Sequence, residues 1–293
     1  MNPRLPQLPR LAVLLTTLTL ASACTESYDL TSSWQSSTVP ASALSIDNIN
    51  GSVRLTRGAA GTFVTGVVKV HASGFDKESQ ARDAAQAVTL LERIEGGTLN
   101  IDVAIPTEHR NKTFAVTLDL TVPEGVEVDV VTDNGRVAVN GLPVDTIDTT
   151  NGEVDLQFTS ALAGKTTRVK TNNGFVTVDS HDGPLDASTS NADLRLFSIN
   201  GSTRGTTTNG FIEARIFPEV GGDIFLATTN SGVSLAISRS FGAQLIAVTT
   251  APGSVNIDAS LPFSPRGPGE GVIGDGRGRI DVRSTVGDIF IGR

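Results

Sequence analysis

Apolar residues recur in spaced pairs along the chain. Each pair stands two and four positions after the second residue of a short polar turn. The pairs are Val53/Leu55, Val137/Val139, Val154/Leu156, Val176/Val178, Leu194/Leu196, Ile212/Ala214, Val233/Leu235, Val255/Ile257 and Ile289/Ile291. Every slot is apolar in a chain whose apolar content is only 39%. An apolar–any–apolar step has the period of a strand with one buried face.

The clearest turns are Asn134-Gly135, Asn151-Gly152, Asn173-Gly174 and Asn209-Gly210, each with Thr two residues before Asn. Asn50-Gly51, Asn191-Ala192, Asn230-Ser231, Pro252-Gly253 and Val286-Gly287 are weaker copies. From Asn134 to Pro252 the turn starts are separated by 17, 22, 18, 18, 21 and 22 residues. Self-similarity near 20 residues predicts stacked repeats, each too small to bury its own apolar face. Asn and Gly tolerate positive φ and suit a tight turn. β-branched Thr suits the strand that enters it. Stacking would set Asn on Asn and Thr on Thr as side-chain ladders.

The reading is an all-β chain built as a right-handed parallel β-solenoid. About seven coils over residues 131–260, at roughly 4.8 Å each, make a stack of roughly 35 Å. An antiparallel sandwich or meander stays open, because Asn-Gly is also the strongest short hairpin signal and the spacing is uneven.

Residues 44–130 differ and read as a small β-rich N-terminal cap carrying one helix. Strands are predicted at Ser45–Leu55 (strand, turn, strand), Phe63–Val70, Thr98–Ile105 and Phe114–Val122. The helix is predicted over Lys77–Ile94, with Ser73 or Asp76 as N-cap, a stripe of Ala81, Ala85, Val88, Leu91 and Ile94, and Gly96-Gly97 as its stop. The repeat region runs from 131 to 293. Its last part is a Pro/Gly loop at 261–278, two closing strands, and an uncapped final coil around Ile289–Ile291 that would favour end-to-end association.

Residues 1–23 read as a secretory leader. Arg4 and Arg10 precede a short apolar core, Leu11 to Leu20, and the small residues Ala21-Ser22-Ala23. Cys24 follows, the only cysteine, so intrachain disulfides are excluded. Its placement resembles the bacterial lipobox, whose cysteine is diacylated. The usual Leu three before Cys is here Ala21, and Ala21-x-Ala23 also suits ordinary cleavage to a secreted protein. Thr25, rather than Asp, favours the outer membrane if the host has one. Residues 24–43, rich in Ser and Thr, read as a flexible tether, with Trp34 either a first docking contact or simply a partly exposed side chain.

Formal net charge is -8. The leader holds two of the 23 basic residues and no acid, so the remainder carries 21 basic against 31 acidic residues. With no basic patch, nucleic acid is excluded as a partner.

The lipobox, the entry Val122-Pro123-Glu124-Gly125-Val126 and the serial Asn-Gly-x-Val-x-Val units make the chain similar to a bacterial adhesin-like family of β-strand-repeat proteins. It is a family of unknown function, related to the head-GIN adhesin-like domains. The closing Gly278-Arg279-Ile280-Asp281-Val282 stretch resembles that family's last pair of strands. The resemblance covers about residues 44–293, implies repeated β-structure on exported proteins, and carries over no catalytic residue.

Chemistry is sparse. His71, His109 and His181 lack partners at metal-ligand spacing and read as surface residues. There is no Gly-x-Ser-x-Gly elbow. Gly269-x-Gly271-x-x-Gly274 matches a dinucleotide fingerprint only formally, with no helix after it. Asp179, Asp182 and Asp186 lack calcium-loop spacing. Asp155, Asp193 and Glu213 are placed as an outward acidic row on successive coils, a solvated face rather than a glycosidase pair. No cofactor or metal is expected.

These readings converge on a non-enzymatic, lipid-anchored binding, adhesin-like or structural module at the cell envelope. Its partners are the membrane, through its lipid, and an envelope protein or polysaccharide. The alternatives are a sensing or regulatory envelope protein with a protein partner and, last, a β-helix carbohydrate-active enzyme.

Overall fold

The computed structural model describes residues 25–40, 42–109, 111–217, 222–238, 240–250 and 252–293. The leader and Cys24 lie outside them. Strand pairing builds two long sheets, of 12 and 13 strands among the described residues. Each coil gives one strand to each sheet, one before the polar turn and one after it. Successive coils pair in parallel through register such as Val137↔Val154↔Val176↔Leu194↔Ile212↔Val233. The fold is therefore a β-solenoid, and the antiparallel sandwich is excluded.

Numbered along the stack, coil 1 is Thr98–Ala104 with Thr113–Pro123, coil 2 Ala43–Asn50 with Val53–Gly58, and coil 3 Glu127–Asn134 with Val137–Asn140. Coil 4 is Val144–Thr149 with Val154–Ser160, coil 5 Thr167–Lys170 with Val176–Asp182, and coil 6 Leu185–Ser188 with Leu194–Asn200. Coil 7 is Thr203–Thr207 with Ile212–Ile216, and coil 8 Asp223–Thr228 with Val233–Ile237. Coil 9 is Gly278–Ser284 with Ile289–Gly292, and coil 10 Ala243–Thr249 with Val255–Ile257. At the usual strand spacing the stack is roughly 48 Å long.

The order is not sequential at either end. Coil 2 comes earlier in the chain than coil 1, and coil 9 is the C-terminus, inserted between coils 8 and 10. Coils 2 and 9, the first and last along the chain, are thus each bonded on two sides. The expected uncapped end at Ile289–Ile291 is corrected: that strand is internal. The last strand of its sheet is Val255–Ile257, and the opposite sheet is finished by the antiparallel hairpin Phe263–Gly267/Glu270–Ile273.

The paired apolar slots are buried throughout coils 2–9, and only Val255/Ile257 of the end coil are half-exposed. The pre-turn strands supply the opposite wall of the core, with Val130, Ile147, Val169, Ala187, Leu226 and Val282 facing inward.

The N-terminal region departs from expectation in three places. Ala43–Asn50 with Val53–Gly58, and Thr98–Ala104 with Thr113–Pro123, expected in a cap ahead of the repeats, are coils 2 and 1 of the same stack. The helix is short, Glu78–Gln86, and begins at Lys77 without a side-chain cap. Thr89–Glu95 is instead a strand, paired antiparallel with Thr98–Ala104 through Gly96-Gly97, both at positive φ. A two-glycine turn matches the twist of a hairpin, and Leu91 and Ile94 point to solvent. Residues 26–35 are not a tether. Glu26–Gln35 is a strand lying antiparallel on Thr65–Phe75, with Tyr28, Leu30 and Trp34 against the core. That alternation is the strand signal hidden among the Ser and Thr residues.

A candidate binding face on the post-turn sheet

The turns stack directly. Asn134 Nδ2 donates to Asn50 Oδ1 at 2.6 Å, Asn151 to Asn134 at 2.7 Å and Asn173 to Asn151 at 2.7 Å. Asn191, Asn209 and Asn230 continue the row at 2.7, 2.7 and 2.6 Å. A head-to-tail amide ladder therefore runs from coil 2 to coil 8.

The turn glycines stack for a steric reason. Gly152, Gly174 and Gly210 are not at positive φ, yet a Cβ on each would collide with the turn carbonyl of the preceding coil. Ala192 and Ser231 hold the same slot, so two coils do accommodate a side chain there. The Thr residues do more than favour a strand. They are buried, and Thr171, Thr189, Thr207 and Thr228 donate their hydroxyls to the preceding turn's carbonyl at 2.9–3.0 Å.

Beside the ladder lies the outer face of the post-turn sheet. Two shallow depressions, of about 120 and 410 Å³, adjoin one another and share Arg136, Asp155 and Gln157. Small Ala138 floors the first, between Arg54 and Asp155. The second extends to Phe175, Thr177 and Arg195. Arg136 is paired with Asp155 at 2.6 Å. Arg54 and Arg195 have no ion pair among the described residues.

Phe175 and Phe211 share one register row, two coils or roughly 10 Å apart. Asp193 lies between them and accepts the Phe211 backbone N–H at 2.8 Å. Phe197 stacks under Arg215, 5.3 Å from the ring centre. Phe290 lies further along, exposed like Phe175 and Phe211. A sequence signal for this row existed: Phe stands directly after Asn-Gly at 175 and 211.

The acidic row is corrected. Asp155 aligns with Thr177, Arg195 and Glu213, so an uncharged and a basic residue interrupt it, and Asp193 belongs to the neighbouring row. Asp182 lies on the post-turn strand of coil 5 and accepts from Asn200 at 3.0 Å, whereas Asp186 lies on the opposite sheet. No group of three or more His, Cys, Asp or Glu able to hold a metal occurs among the described residues. Gly269, Gly271 and Gly274 belong to the end hairpin, where Gly271 packs against Phe263.

The three histidines remain apart. His71 pairs with Asp29 at 2.8 Å, and His109 stacks edge-on against Phe75 at 5.6 Å. His181 is not on the surface: it is 1% exposed, with Nδ1 3.0 Å from the Thr159 hydroxyl. The cause is a corner. Phe158, Ser180 and Ser198 stack at φ of 51°, 63° and 55° and reverse the strand's inside–outside phase, so the next residue turns inward.

Burial holds the His181 pKa down, from 6.5 to about 4. Between these values the unfolded chain binds the proton and the folded chain does not. His181 thus costs nothing above pH 6.5, and stability falls as pH drops toward 4, by roughly 3 kcal/mol in all. In urea titrations across this window, His181→Leu is expected to lose less stability on acidification than the native chain. Parallel curves would contradict the assignment.

Comparison with known proteins adds fold, not activity. No curated protein matches the chain. A structure from Bacteroides fragilis, provisionally described as an adhesin, is 11% identical, with 90% of this chain and 97% of that one covered and a TM-score of 0.44. One from Clostridium sporogenes, provisionally a cell adhesion protein, is 11% identical over 91% and 99%, with a TM-score of 0.28. One from Parabacteroides merdae, again provisionally an adhesin, is 8% identical over 90% and 96%, with a TM-score of 0.28. Superpositions this loose carry no functional weight. The profile of the Toastrack DUF4097 family matches residues 41–292, nearly the whole repeat array and its cap, and the chain belongs to that family.

Proposed function

We propose that the chain is a non-catalytic binding module, exported and held at the cell envelope by a lipid on Cys24, whose post-turn face is the recognition surface. The observation that carries the reading is the rigid, open row of Phe175 and Phe211 beside the depressions around Arg54, Arg136 and Arg195. The amide ladder next to it fixes the spacing of the coils, so the row is preorganised. Open aromatic rings beside fixed polar groups suit a long polar polymer laid along the stack, a polysaccharide rather than a small molecule in a closed pocket. Ring stacking supplies affinity, and the amide, hydroxyl and guanidinium groups supply orientation. The leader and lipobox pattern support export and anchoring. No helix among the described residues is long and apolar enough to cross a membrane.

The test is cosedimentation of the purified chain with the insoluble envelope polysaccharide of its host. Native protein is expected to pellet. The double variant Phe175→Ala/Phe211→Ala is expected to bind at least tenfold more weakly, since two stacking contacts are worth about 1 kcal/mol each. Equal pelleting by a correctly folded double variant would remove this face from the account.

A further inference from the structure

The pre-turn sheet, on the opposite side of the stack, has a different character. Its outer surface runs without a break over ten coils, and charge is sorted along it. The N-terminal half carries Asp102, Asp47, Asp129 and Asp148 on coils 1–4. The C-terminal half carries Arg168 and Lys170 on coil 5, Arg204 on coil 7, and Arg279 and Arg283 on coil 9. Asp186, the exposed Asp223 and the 4%-exposed Asp281 interrupt this basic half. Arg204 pairs there with Asp186, and both Arg279 and Arg283 pair with Asp281, as Arg93 pairs with Asp102 in the acidic half.

At the acidic pole the carboxylates crowd one another. Asp47 and Asp129 are held above the usual carboxylate range, first by burial and then by repulsion from Asp102 and Asp145 respectively. At the basic pole the guanidinium groups gather around one ring, with Arg204 4.4 Å and Arg283 5.9 Å from the centre of Phe225. Val131 on coil 3 and Val248 on coil 10 are 48% and 50% exposed on the same surface.

We infer that this face is an interface with a second copy of the chain, the two stacks lying antiparallel about a two-fold axis near coils 5 and 6. Such an interface is self-complementary: coil n of one copy meets coil 11 − n of the other. Coil 2 with Asp47 then faces coil 9 with Arg279 and Arg283. Coil 4 with Asp148 faces coil 7 with Arg204. Coil 5 with Arg168 and Lys170 faces coil 6 with Asp186. Coil 3 brings Val131 toward Phe225 and Ala227 of coil 8, and sets Asp129 near Asp223 as the one like-charged meeting of the array. Each acidic pole lands on a basic one, whereas parallel stacking would set like on like. The surface, roughly 48 Å long and about 15 Å wide, offers roughly 700 Å² per copy, close to the ~800 Å² typical of a stable interface. The opposite face, with Phe175 and Phe211, is left free, so this interface stands or falls independently of the polymer-binding reading.

The experiment is sedimentation of the full exported chain carrying Cys24→Ser, which excludes any acyl group, at low and high salt. A dimer at low salt that dissociates toward monomer at high salt is expected. Arg168→Glu/Lys170→Glu/Arg204→Glu makes both poles acidic, and Asp47→Lys/Asp102→Lys/Asp148→Lys makes both basic. Each variant alone is expected to be monomeric, and an equimolar mixture to form a heterodimer. Surface substitutions of this kind leave the core intact, which circular dichroism verifies. A native chain that stays monomeric at low salt, or a dimer indifferent to salt and to both reversals, overturns the inference.

Discussion

Deleting residues 278–293 is expected to unfold the C-terminal end of the stack, although it removes only the last sixteen residues of the chain. In an ordinary solenoid the terminal segment is the outermost coil and is lost at little cost to its neighbours. Here it is coil 9. Its strands pair with coil 8 on one side and coil 10 on the other. Removal takes Ile280, Val282, Ile289 and Ile291 out of the core, all fully buried. At about 1.5–3 kcal/mol for each side chain, the loss is on the order of 6–12 kcal/mol. That is comparable with the whole stability of a typical domain. Coil 10 and its hairpin lose the platform on which they pair, and two sheet edges are opened to aggregation. Size exclusion and urea unfolding of the truncated chain measure the effect. A monomeric product with unchanged cooperative unfolding would mean that coil 10 moves directly onto coil 8 and that the insertion is dispensable.

Leu196→Ala is expected to be the most damaging single truncation in the middle of the array, at roughly 2–5 kcal/mol. Leu196 is fully buried on coil 6 and stacks between Val178 and Ala214. Ala214 is already small, so the cavity left by the variant has little on that side to fill it. Stability in stacked repeats is close to a sum of nearest-neighbour terms. A weak coil 6 therefore splits the array into two shorter stacks, and the loss should appear as a second unfolding step. Arg195→Ala, one residue away and exposed, is expected to change stability by no more than about 0.5 kcal/mol. Chemical unfolding followed by circular dichroism checks both. Similar effects from the two would contradict the inward–outward assignment of this strand.

The repeats were legible because their signal is redundant. Two apolar slots, a turn and a Thr recur together, and even Asn50, far from the other copies, lies in the amide ladder with Asn134. What escaped the sequence was whatever reverses or reorders that pattern. The inward turn of His181 is not legible: strict alternation from Val176 would also put it outward, and nothing in Ser180 announces the φ of 63° that reverses the phase. The insertion of coil 9 escaped because the slots Ile289/Ile291 fit any position in the stack equally well. The Lys77–Ile94 helix failed where local propensity competed with pairing. Leu91 and Ile94 fit a helical stripe, but the hairpin with Thr98–Ala104 satisfies the backbone of the whole segment.

The face with Phe175 and Phe211 was half legible. The residues stand in plain view after Asn-Gly, but only the register between coils shows that Asp193 lies between them and that Arg195 interrupts the supposed acidic row.

All of the proposed biology depends on the chain reaching the cell envelope and staying there, and Cys24 decides that. The measurement is intact mass together with detergent partitioning, on the chain isolated from its host and on Cys24→Ala. The account predicts a mature chain beginning at Cys24, heavier than its sequence by two or more acyl groups and found in the detergent phase, and a variant that loses both properties. A native chain of unmodified mass in the aqueous phase would contradict it, and would make the protein a secreted one whose ligand lies beyond the envelope.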